Sequence, residues 1–340
     1  MTAGAGRDTR RATGTWTRKT DMPVAVSEVG VAEVNGKIYV VGGTEQVEGG
    51  EVASSLTLMY DPATDRWQKR AALPRASSHV GVVGCGGKLY AIGGLAGNVH
   101  IGPQSLATVY DPMFDRWDEL PPLSSPRGSV AVAAVSGRIH VIGGRSSEKV
   151  VKVSRPGRPD MLVGIGTVAT HEVFDLAAGR WSQGRPLPGP SRDHMGTAVL
   201  DGKIHAFGGR INDYSDLLDR HDVYDPVTDT WTSAAALPRP RSAGASAVLN
   251  GLVIYAGGEC KPGGQPFSAN AFEDVSAYDL TTDSWSALAP LPRARHAFGG
   301  ATVSGRAYFA GGSLVCGGGV STDLLSLTLL QEAPGCRTSS

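Results

Sequence analysis

A pair of glycines recurs six times along the chain, and this repeat constrains the fold more than any other feature. Successive pairs are roughly 50 residues apart, a period typical of repeat folds, with one longer interval between the third and fourth pairs. Each pair ends a short β-like run, such as KIYVV or KLYAI. Units of this length stack on their neighbours to bury a common core, so the repeats are predicted to form one array. The pairs are Gly42-Gly43, Gly93-Gly94, Gly143-Gly144, Gly208-Gly209, Gly257-Gly258 and Gly311-Gly312.

Two further motifs keep the same phase as the glycine pairs. A Tyr-Asp or Phe-Asp dipeptide follows five of the six pairs, as at Tyr60-Asp61. All six tryptophans of the chain come next, at Trp16, Trp67, Trp117, Trp181, Trp231 and Trp285. The order within each repeat is therefore Gly-Gly, Tyr-Asp and Trp, which predicts a scaffold role for all three motifs.

Each repeat is predicted to contain four short strands, a to d. Strand a is small and apolar, and a dipeptide such as Asn35-Gly36 or Asp201-Gly202 links it to strand b. These dipeptides are strong signals for a tight hairpin. Strand b ends at Gly-Gly, strand c ends at Tyr-Asp, and strand d carries the tryptophan. Four-stranded units with a period of about 50 residues are typical of propeller blades.

The motif order resembles that of the Kelch propellers over roughly residues 13–330. The resemblance implies an all-β, six-bladed propeller of four-stranded antiparallel blades. Trp16 has no strands a to c before it, and the last repeat has no tryptophan after its Gly-Gly pair. We therefore predict that an N-terminal strand completes the last blade, which removes free sheet edges. The predicted blades are 25–70, 77–120, 128–184, 194–234, 243–288, and 296–330 with 13–18, between tails at 1–12 and 331–340.

Charge and composition exclude several classes of protein. Lysine plus arginine and aspartate plus glutamate both number 32, so binding driven by nucleic-acid phosphates or an anionic membrane is not expected. No apolar run approaches the length of a membrane span, and no secretory or twin-arginine signal is recognised. Four scattered cysteines do not suggest a disulfide framework. A cytoplasmic protein without metal or cofactor is the expectation, and the oligomeric state is left open.

Loops on one face of such a propeller carry the candidate site. The b–c and d–a loops share that face, vary most in length and hold most of the charge. Aligning the d–a loops on the following Gly-Gly pair, at the separation of Glu28 from Gly42, gives one position per repeat: Glu28, His79, Ser129, His194, Ala243 and Ala297. The candidate catalytic residues are His79, His194 and Glu259. The candidate ligand-binding residues are Glu28, Glu45, Ser129, Arg145, Arg192, Arg210, Arg295 and His296.

Other interpretations of these residues stay open. Arginines before strand a, as in Leu73-Pro74-Arg75, resemble the arginine that follows Leu-Pro in Kelch repeats and often braces adjacent blades. His140 and His205 take a strand-b position that tyrosine fills elsewhere, as at Tyr39, so we interpret them as packing residues. His171 and His221 begin strand c and are interpreted as structural or supporting groups.

The third repeat has a long b–c loop, from Arg145 to about Thr170. It is basic and ends in an apolar stretch, MLVGIGTVA. A long loop in a compact fold is often a lid or a binding loop, so we hypothesise that residues 146–169 cover an anionic ligand. Cys260 and Cys316 follow the Gly-Gly pairs of adjacent repeats. A disulfide or a metal pair is conceivable there, but two free buried thiols are favoured.

Two functions from different classes follow. The first is a binding module whose funnel takes a small anionic molecule or an acidic peptide. The second is a cofactor-independent isomerase, cyclase or lyase, because stand-alone Kelch propellers include proteins similar to N-acetylneuraminate epimerase and others similar to bacterial cyclases. In that case His79 and His194 would move protons, Glu28 and Glu259 would support them, and arginines would hold a carboxylate. The chain lacks the Tyr-His pair that a copper-radical oxidase of this fold would need.

Overall fold

The computed structural model describes residues 13–48, 50–97, 100–155, 158–212, 215–261 and 270–329. The predicted tails therefore lie outside the described residues. In chain order the strands are β1 (Gly14–Arg18), β2 (Gly30–Val34), β3 (Lys37–Val41), β4 (Thr44–Val47), β5 (Gly50–Ala53), β6 (Thr57–Asp61), β7 (Arg66–Lys69), β8 (Gly81–Cys85), β9 (Lys88–Ile92), β10 (Ala107–Asp111), β11 (Arg116–Glu119), β12 (Ala131–Val135), β13 (Arg138–Ile142) and β14 (Arg145–Arg155). They continue with β15 (Arg158–Thr167), β16 (His171–Asp175), β17 (Arg180–Gln183), β18 (Gly196–Leu200), β19 (Lys203–Phe207), β20 (His221–Asp225), β21 (Thr230–Ser233), β22 (Ala245–Leu249), β23 (Leu252–Ala256), β24 (Val275–Asp279), β25 (Ser284–Ala287), β26 (Gly299–Val303), β27 (Arg306–Ala310) and β28 (Leu324–Leu329).

The six four-stranded sheets are the blades of a propeller, as predicted. The strand orders are β2-β3-β6-β7, β8-β9-β10-β11, β12-β13-β16-β17, β18-β19-β20-β21, β22-β23-β24-β25 and β26-β27-β28-β1. All neighbouring strands within these sheets are antiparallel. The sixth sheet confirms the predicted ring closure, since Gly14 of β1 pairs with Leu329 of β28. Among the described residues no helix is long and apolar enough to cross a membrane.

The paired glycines lie where neighbouring loops approach closely. A Cβ atom built on Gly42 would lie 2.3 Å from the carbonyl oxygen of Ser77, and one on Gly43 would lie 2.5 Å from that of Ser27. Both glycines also have positive φ angles, 63° and 98°. A side chain at either position would therefore meet backbone and adopt a strained conformation. The repeat of Gly-Gly marks a packing requirement of every blade.

The tryptophans join each blade to the one before it in the ring. Every tryptophan indole N–H donates to a backbone carbonyl of the preceding blade or of the loop leaving it, as Trp117 does to Ala71 at 3.0 Å. The tyrosine of the Tyr-Asp motif donates within its own blade to the aspartate five residues on, as Tyr110 does to Asp115 at 2.6 Å. The scaffold role predicted for these motifs is therefore what the contacts show.

Two segments differ from the sequence expectation. The long b–c loop of blade 3 is a β-hairpin of β14 and β15, consistent with the high β propensity of its valine-rich segment. Cys260 and Cys316 form a disulfide, so the prediction of two free thiols is wrong. The b–c loops of blades 5 and 6 bring the two Cα atoms to 4.9 Å, within bridging distance.

A channel runs along the axis between the innermost strands. Small and apolar residues of β2, β8, β12, β18, β22 and β26 line a cavity of about 550 Å³. At one end, beside the d–a loops, lies a smaller cavity of about 110 Å³. The blades thus place six loops around one axial opening.

Candidate functional site

The six aligned d–a residues form a closed ring of backbone hydrogen bonds around the axis. In each, the N–H donates to the carbonyl of the equivalent residue in the preceding blade, over 2.7 to 3.2 Å. All six have φ angles between 51° and 59°, although none is glycine. Their side chains line the smaller axial cavity. The ring consists of Glu28, His79, Ser129, His194, Ala243 and Ala297.

The composition of the ring is uneven. Blades 5 and 6 contribute alanines, which make the same backbone bonds with the same φ. Alanine therefore suffices for the ring itself. Blades 1, 2 and 4 place Glu28, His79 and His194 at these positions, where ionisable side chains lose most of their contact with water. The backbone conformation at these positions does not require the ionisable side chains of Glu28, His79 and His194.

Three histidines meet beside this ring. His79 and His194 come from the ring, and His100 comes from the b–c loop of blade 2. The ring centroids are 4.9, 5.2 and 5.2 Å apart, and all three pairs meet edge-on. One ligand nitrogen from each lies within 4.8 Å of the others. The three imidazoles thus surround one point near the axis.

Two carboxylates hold two of these imidazoles. Glu28 Oε2 lies 3.2 Å from His79 Nε2, and Asp193 Oδ1 lies 2.9 Å from His194 Nδ1. The other nitrogen of His79, Nδ1, lies 3.0 Å from the hydroxyl of Ser78. Each of these two imidazoles is therefore fixed by a neighbouring residue through a defined nitrogen.

Two arginines, Arg145 and Arg210, link the histidine and carboxylate groups at the axis to the b–c loops. Arg145 is fully buried, pairs with Asp193, and donates to the carbonyl of Gly164 in β15 at 2.9 Å. Arg210 pairs with Glu259, and its Nη2 lies 3.3 Å from His194 Nε2. It is also 3.3 Å from His100 Nε2. We call Glu28, His79, His100, Arg145, Asp193, His194, Arg210 and Glu259 the axial cluster.

The carboxylates of the axial cluster are ionised. Burial alone would raise the pKa of Glu28, but His79 and, more weakly, His194 hold that pKa well below its usual range. Burial would likewise raise the pKa of Asp193, and His194 and the neighbouring guanidiniums keep it low. The pKa of Glu259 is also lowered, against the effect of burial, chiefly by Arg210.

Two of the imidazoles, those of His100 and His194, tend towards the neutral form. Burial, and then the positive charge of Arg145, holds the pKa of His100 well below its usual value. Burial and Arg210 lower the pKa of His194, while Asp193 opposes that shift. Neutral imidazoles carry a free lone pair at pH 7, which can accept a proton or ligate a metal.

The hairpin of blade 3 covers the cluster from one side. Ser147 of β14 donates to the carbonyl of His100. A Cβ atom on Gly164 would lie 2.0 Å from the same carbonyl oxygen, so glycine allows this close approach. The base of the hairpin therefore packs directly on the segment that carries His100.

The structure brings most of the predicted site residues together. Glu28, His79, Ser129, Arg145, His194, Arg210 and Glu259 meet at the axis, as the contacts above describe. His296 lies at the edge of this group, where its Nε2 donates to the carbonyl of Val315 at 2.7 Å. This imidazole is one of the groups that lower the pKa of Glu28 and that of Glu259.

Three predicted site residues lie elsewhere. Arg192 and Arg295 are fully buried inside their own blades, where they pair with Asp222 and Asp323. Both arginines therefore have a structural role within a single blade, whereas the structural alternative predicted from the sequence is a brace between adjacent blades. Glu45 lies in β4 and contacts Ser54. These three residues are therefore left out of the proposed site.

Two residues of the axial cluster were missed by the sequence analysis. His100 lies in a loop position that has no counterpart in the other repeats, so alignment on the Gly-Gly pairs did not find it. Asp193 directly precedes a predicted site histidine, and that adjacency was the available signal. The sequence motifs predict no metal site, whereas the three imidazoles are spaced as a set of metal ligands would be.

The histidines of blades 3 and 4 have a different setting. His140 Nδ1 lies 2.9 Å from His171 Nε2, and His205 Nδ1 lies 2.9 Å from His221 Nε2. All four are buried between strands. This agrees with the packing and structural roles predicted for them.

Comparison with known proteins identifies the repeat. The Kelch motif matches residues 25–74, 76–124 and 191–238. Kelch-like protein terF of Aspergillus terreus is 27% identical over 309 residues, which cover 90% of this chain and 53% of that protein. Beta-scruin of Limulus polyphemus is 28% identical over 49% of this chain and 18% of its own length. The chain thus spans about half or less of these relatives.

Two further comparisons point to the same fold. Human Kelch-like protein 34 is 30% identical over 43% of this chain and 22% of its own length. The solved structure of YjhT superposes with a TM-score of 0.71 at 17% identity, over 92% of this chain and 99% of that one. The three matched motifs, the Kelch-like relatives and the six closed blades together support a Kelch-repeat β-propeller.

Proposed function

We propose that the protein is an enzyme that acts on a small polar molecule at the axial cluster. One observation carries this proposal: ionisable groups are buried at ring positions where blades 5 and 6 use alanine. Burying charged groups costs stability unless they are paired, and such groups concentrate at functional sites. The ring does not need them, so a ligand is the remaining use for their chemistry.

The enclosure of the site favours a small molecule over an acidic peptide. Asp193 and Arg145 have no exposed side-chain surface, and the side chain of Arg210 is only 3% exposed. The two guanidiniums are already paired with carboxylates, so a free arginine clamp for a peptide is not available. A ligand that enters between the d–a loops would meet the imidazoles and Glu28 first.

The cluster offers two carboxylate–imidazole pairs, Glu28–His79 and Asp193–His194. Such pairs either move a proton or orient a metal ligand, and both uses are catalytic. The predicted isomerase, cyclase or lyase chemistry needs groups of this kind. The hairpin of β14 and β15 would close over the ligand, because its base already packs on the segment of His100.

The first test separates a functional cluster from a structural one. We expect His79→Ala, His194→Ala and Glu28→Ala to fold and to lose no more than about 1 kcal/mol of stability, because alanine is the native ring residue in blades 5 and 6. Urea unfolding measures this, with Met113→Ala at an exposed turn as the control. Losses of about 3 kcal/mol or more in all three variants would contradict the proposal and mark the cluster as scaffold.

The same variants locate the ligand. Wild-type protein is screened by thermal shift against sugars, sugar acids, hydroxy acids and acidic peptides, and turnover of any hit is followed. We expect a small-molecule shift that disappears in His79→Ala and His194→Ala and weakens when residues 149–163 are deleted. A shift confined to acidic peptides, or one that both alanine variants retain, would contradict the proposed small-molecule site.

A further inference from the structure

We infer that His79, His100 and His194 form a binding site for a divalent first-row transition-metal ion, with Glu28 as a further oxygen donor. This inference rests on the proposed function only in placing the site at the axial cluster. The ion itself can bind whether or not a substrate is turned over.

The spacing of the three histidines is the first support. Their ligand atoms lie within 4.8 Å of one another, and the rings meet edge-on at centroid distances of 4.9 to 5.2 Å. Bonds of about 2.0–2.1 Å to zinc would require each nitrogen to move inward by less than about 1 Å. The paired histidines within blades 3 and 4 show no such convergence, because there one imidazole hydrogen-bonds the other.

The surroundings orient two of the imidazoles as metal ligands are oriented. Asp193 holds Nδ1 of His194, and Ser78 holds Nδ1 of His79. A ligating histidine generally has its second nitrogen fixed by a carboxylate, carbonyl or water, which directs the first towards the metal. For His79 that first nitrogen, Nε2, lies 3.2 Å from the Glu28 carboxylate, which adds an oxygen donor beside it.

The permanent charges around the histidines do not oppose a cation. Three buried carboxylates, Glu28, Asp193 and Glu259, face two guanidiniums, Arg145 and Arg210. Because the carboxylates outnumber the guanidiniums, a dication held by the three imidazoles meets more negative than positive groups.

Arg210 limits the affinity of the site. Its Nη2 lies 3.3 Å from one nitrogen each of His100 and His194, so an ion competes with this guanidinium for the same region. Its pairing with Glu259 offers an alternative anchor away from the imidazoles. Three nitrogen ligands leave coordination positions open, and an ion held in this way can polarise a substrate oxygen.

The experiment measures metal binding without reference to activity. The full chain is stripped with a chelator, the chelator is removed, and Zn²⁺ is titrated by calorimetry and Co²⁺ by visible absorption. We expect one ion per chain and a Co²⁺ spectrum that reports nitrogen ligands. His79→Ala, His100→Ala and His194→Ala should each weaken binding at least tenfold. His296→Ala, which removes a buried imidazole at the edge of the same site, should bind like the wild type.

The outcomes distinguish this inference from the proposed function. Far-ultraviolet circular dichroism and tryptophan fluorescence establish that each variant is folded. Wild-type binding no tighter than that of the triple alanine variant, or an equal loss in His296→Ala, would overturn the metal site. If a small-molecule thermal shift persists in the stripped protein, the proposed ligand site survives that result. If the ion binds but no small molecule does, the proposed function fails and the metal site stands.

Discussion

The blades and the axis of the propeller both bury arginines, carboxylates and histidines, but the two regions arrange them differently. In the blades the arrangement recurs: Arg127 and Arg192 pair with Glu172 and Asp222 at the same point of strand c. The equivalent arginine of blade 6, Arg295, pairs with Asp323 just before strand c. At the axis the groups come from several blades, and the ring positions of blades 5 and 6 hold alanine instead of an ionisable residue. Buried charged groups that recur from blade to blade have a structural role. Buried charged groups that occur in only some of the blades indicate a functional site.

The largest effect expected is the loss of a carboxylate from a blade. Glu172→Ala removes the partner of Arg127, which is fully buried, and leaves a charge without compensation. We expect a loss of about 3–5 kcal/mol in the free energy of unfolding, measured in urea. His79→Ala at the axis is the matched comparison. A cost for Glu172→Ala no larger than that of His79→Ala would break the distinction between the two regions.

Acid should act on the blades through their paired histidines. Burial and the nearby His171 and Arg138 lower the pKa of His140 to about 3, and burial lowers that of His171 to about 4. Burial likewise lowers the pKa of His205 to about 4 and also lowers that of His221. The unfolded chain has its histidine pKa values near 6.5, so unfolding takes up protons below that pH. Stability is therefore complete above pH 6.5 and falls as the pH drops from 6.5 towards 4.

This effect is measured as the slope of unfolding free energy against pH. We expect a loss of at least about 2 kcal/mol between pH 7 and pH 4.5. His205→Tyr is the matched variant, since Tyr39 and Tyr308 occupy the equivalent strand-b position in blades 1 and 6. It should reduce the slope over this range. A wild-type stability that is flat down to pH 4.5 would contradict neutral, buried histidine pairs.

The smallest expected change in stability concerns the hydrogen-bonded backbone ring at the axis, to which every blade contributes one residue. Ala297 has a φ of 59°, a conformation that costs an alanine about 1–2 kcal/mol but a glycine little. We expect Ala297→Gly to stabilise the protein by up to about 1 kcal/mol, since the greater entropy of the unfolded glycine offsets part of the gain. Ala301→Gly, within β26 of the same blade, should destabilise it instead. Equal changes in thermal unfolding would show that the ring imposes no strain.

The sequence predicts the scaffold well because every blade repeats it. The six sheets, the closing strand β1 and the set of ring residues all follow from motifs in constant phase. Each ring residue lies the same distance along the chain before its Gly-Gly pair, because the backbone of every blade has the same geometry between these two points. Packing of the blade histidines was likewise visible, because His140 and His205 replace a recurring tyrosine.

The rest depends on contacts between loops that do not repeat. His100 lies in a loop without counterparts, so no alignment could place it at the axis. Arg192 and Arg210 are both arginines of blade 4, but they lie in different loops. Arg192, in the d–a loop, pairs with Asp222 inside the blade, and Arg210, in the b–c loop, reaches the axial cluster. The disulfide of Cys260 and Cys316 depends on two loops that approach to a Cα distance of 4.9 Å, and spacing along the chain does not reveal that distance.

Because β1 completes blade 6, all six blades have four strands, and the ring has no structurally distinct first blade. Gly14 and Leu329 lie side by side although they come from opposite ends of the propeller sequence. A short linker between these points and a new opening at an exposed turn, such as Asn250-Gly251, would give a circular permutant with the same six sheets. Closing a loop of about 300 residues rather than about 50 costs only about 1.6 kcal/mol more in chain entropy. The order of the blades along the chain can therefore be rotated while the axial cluster keeps its geometry.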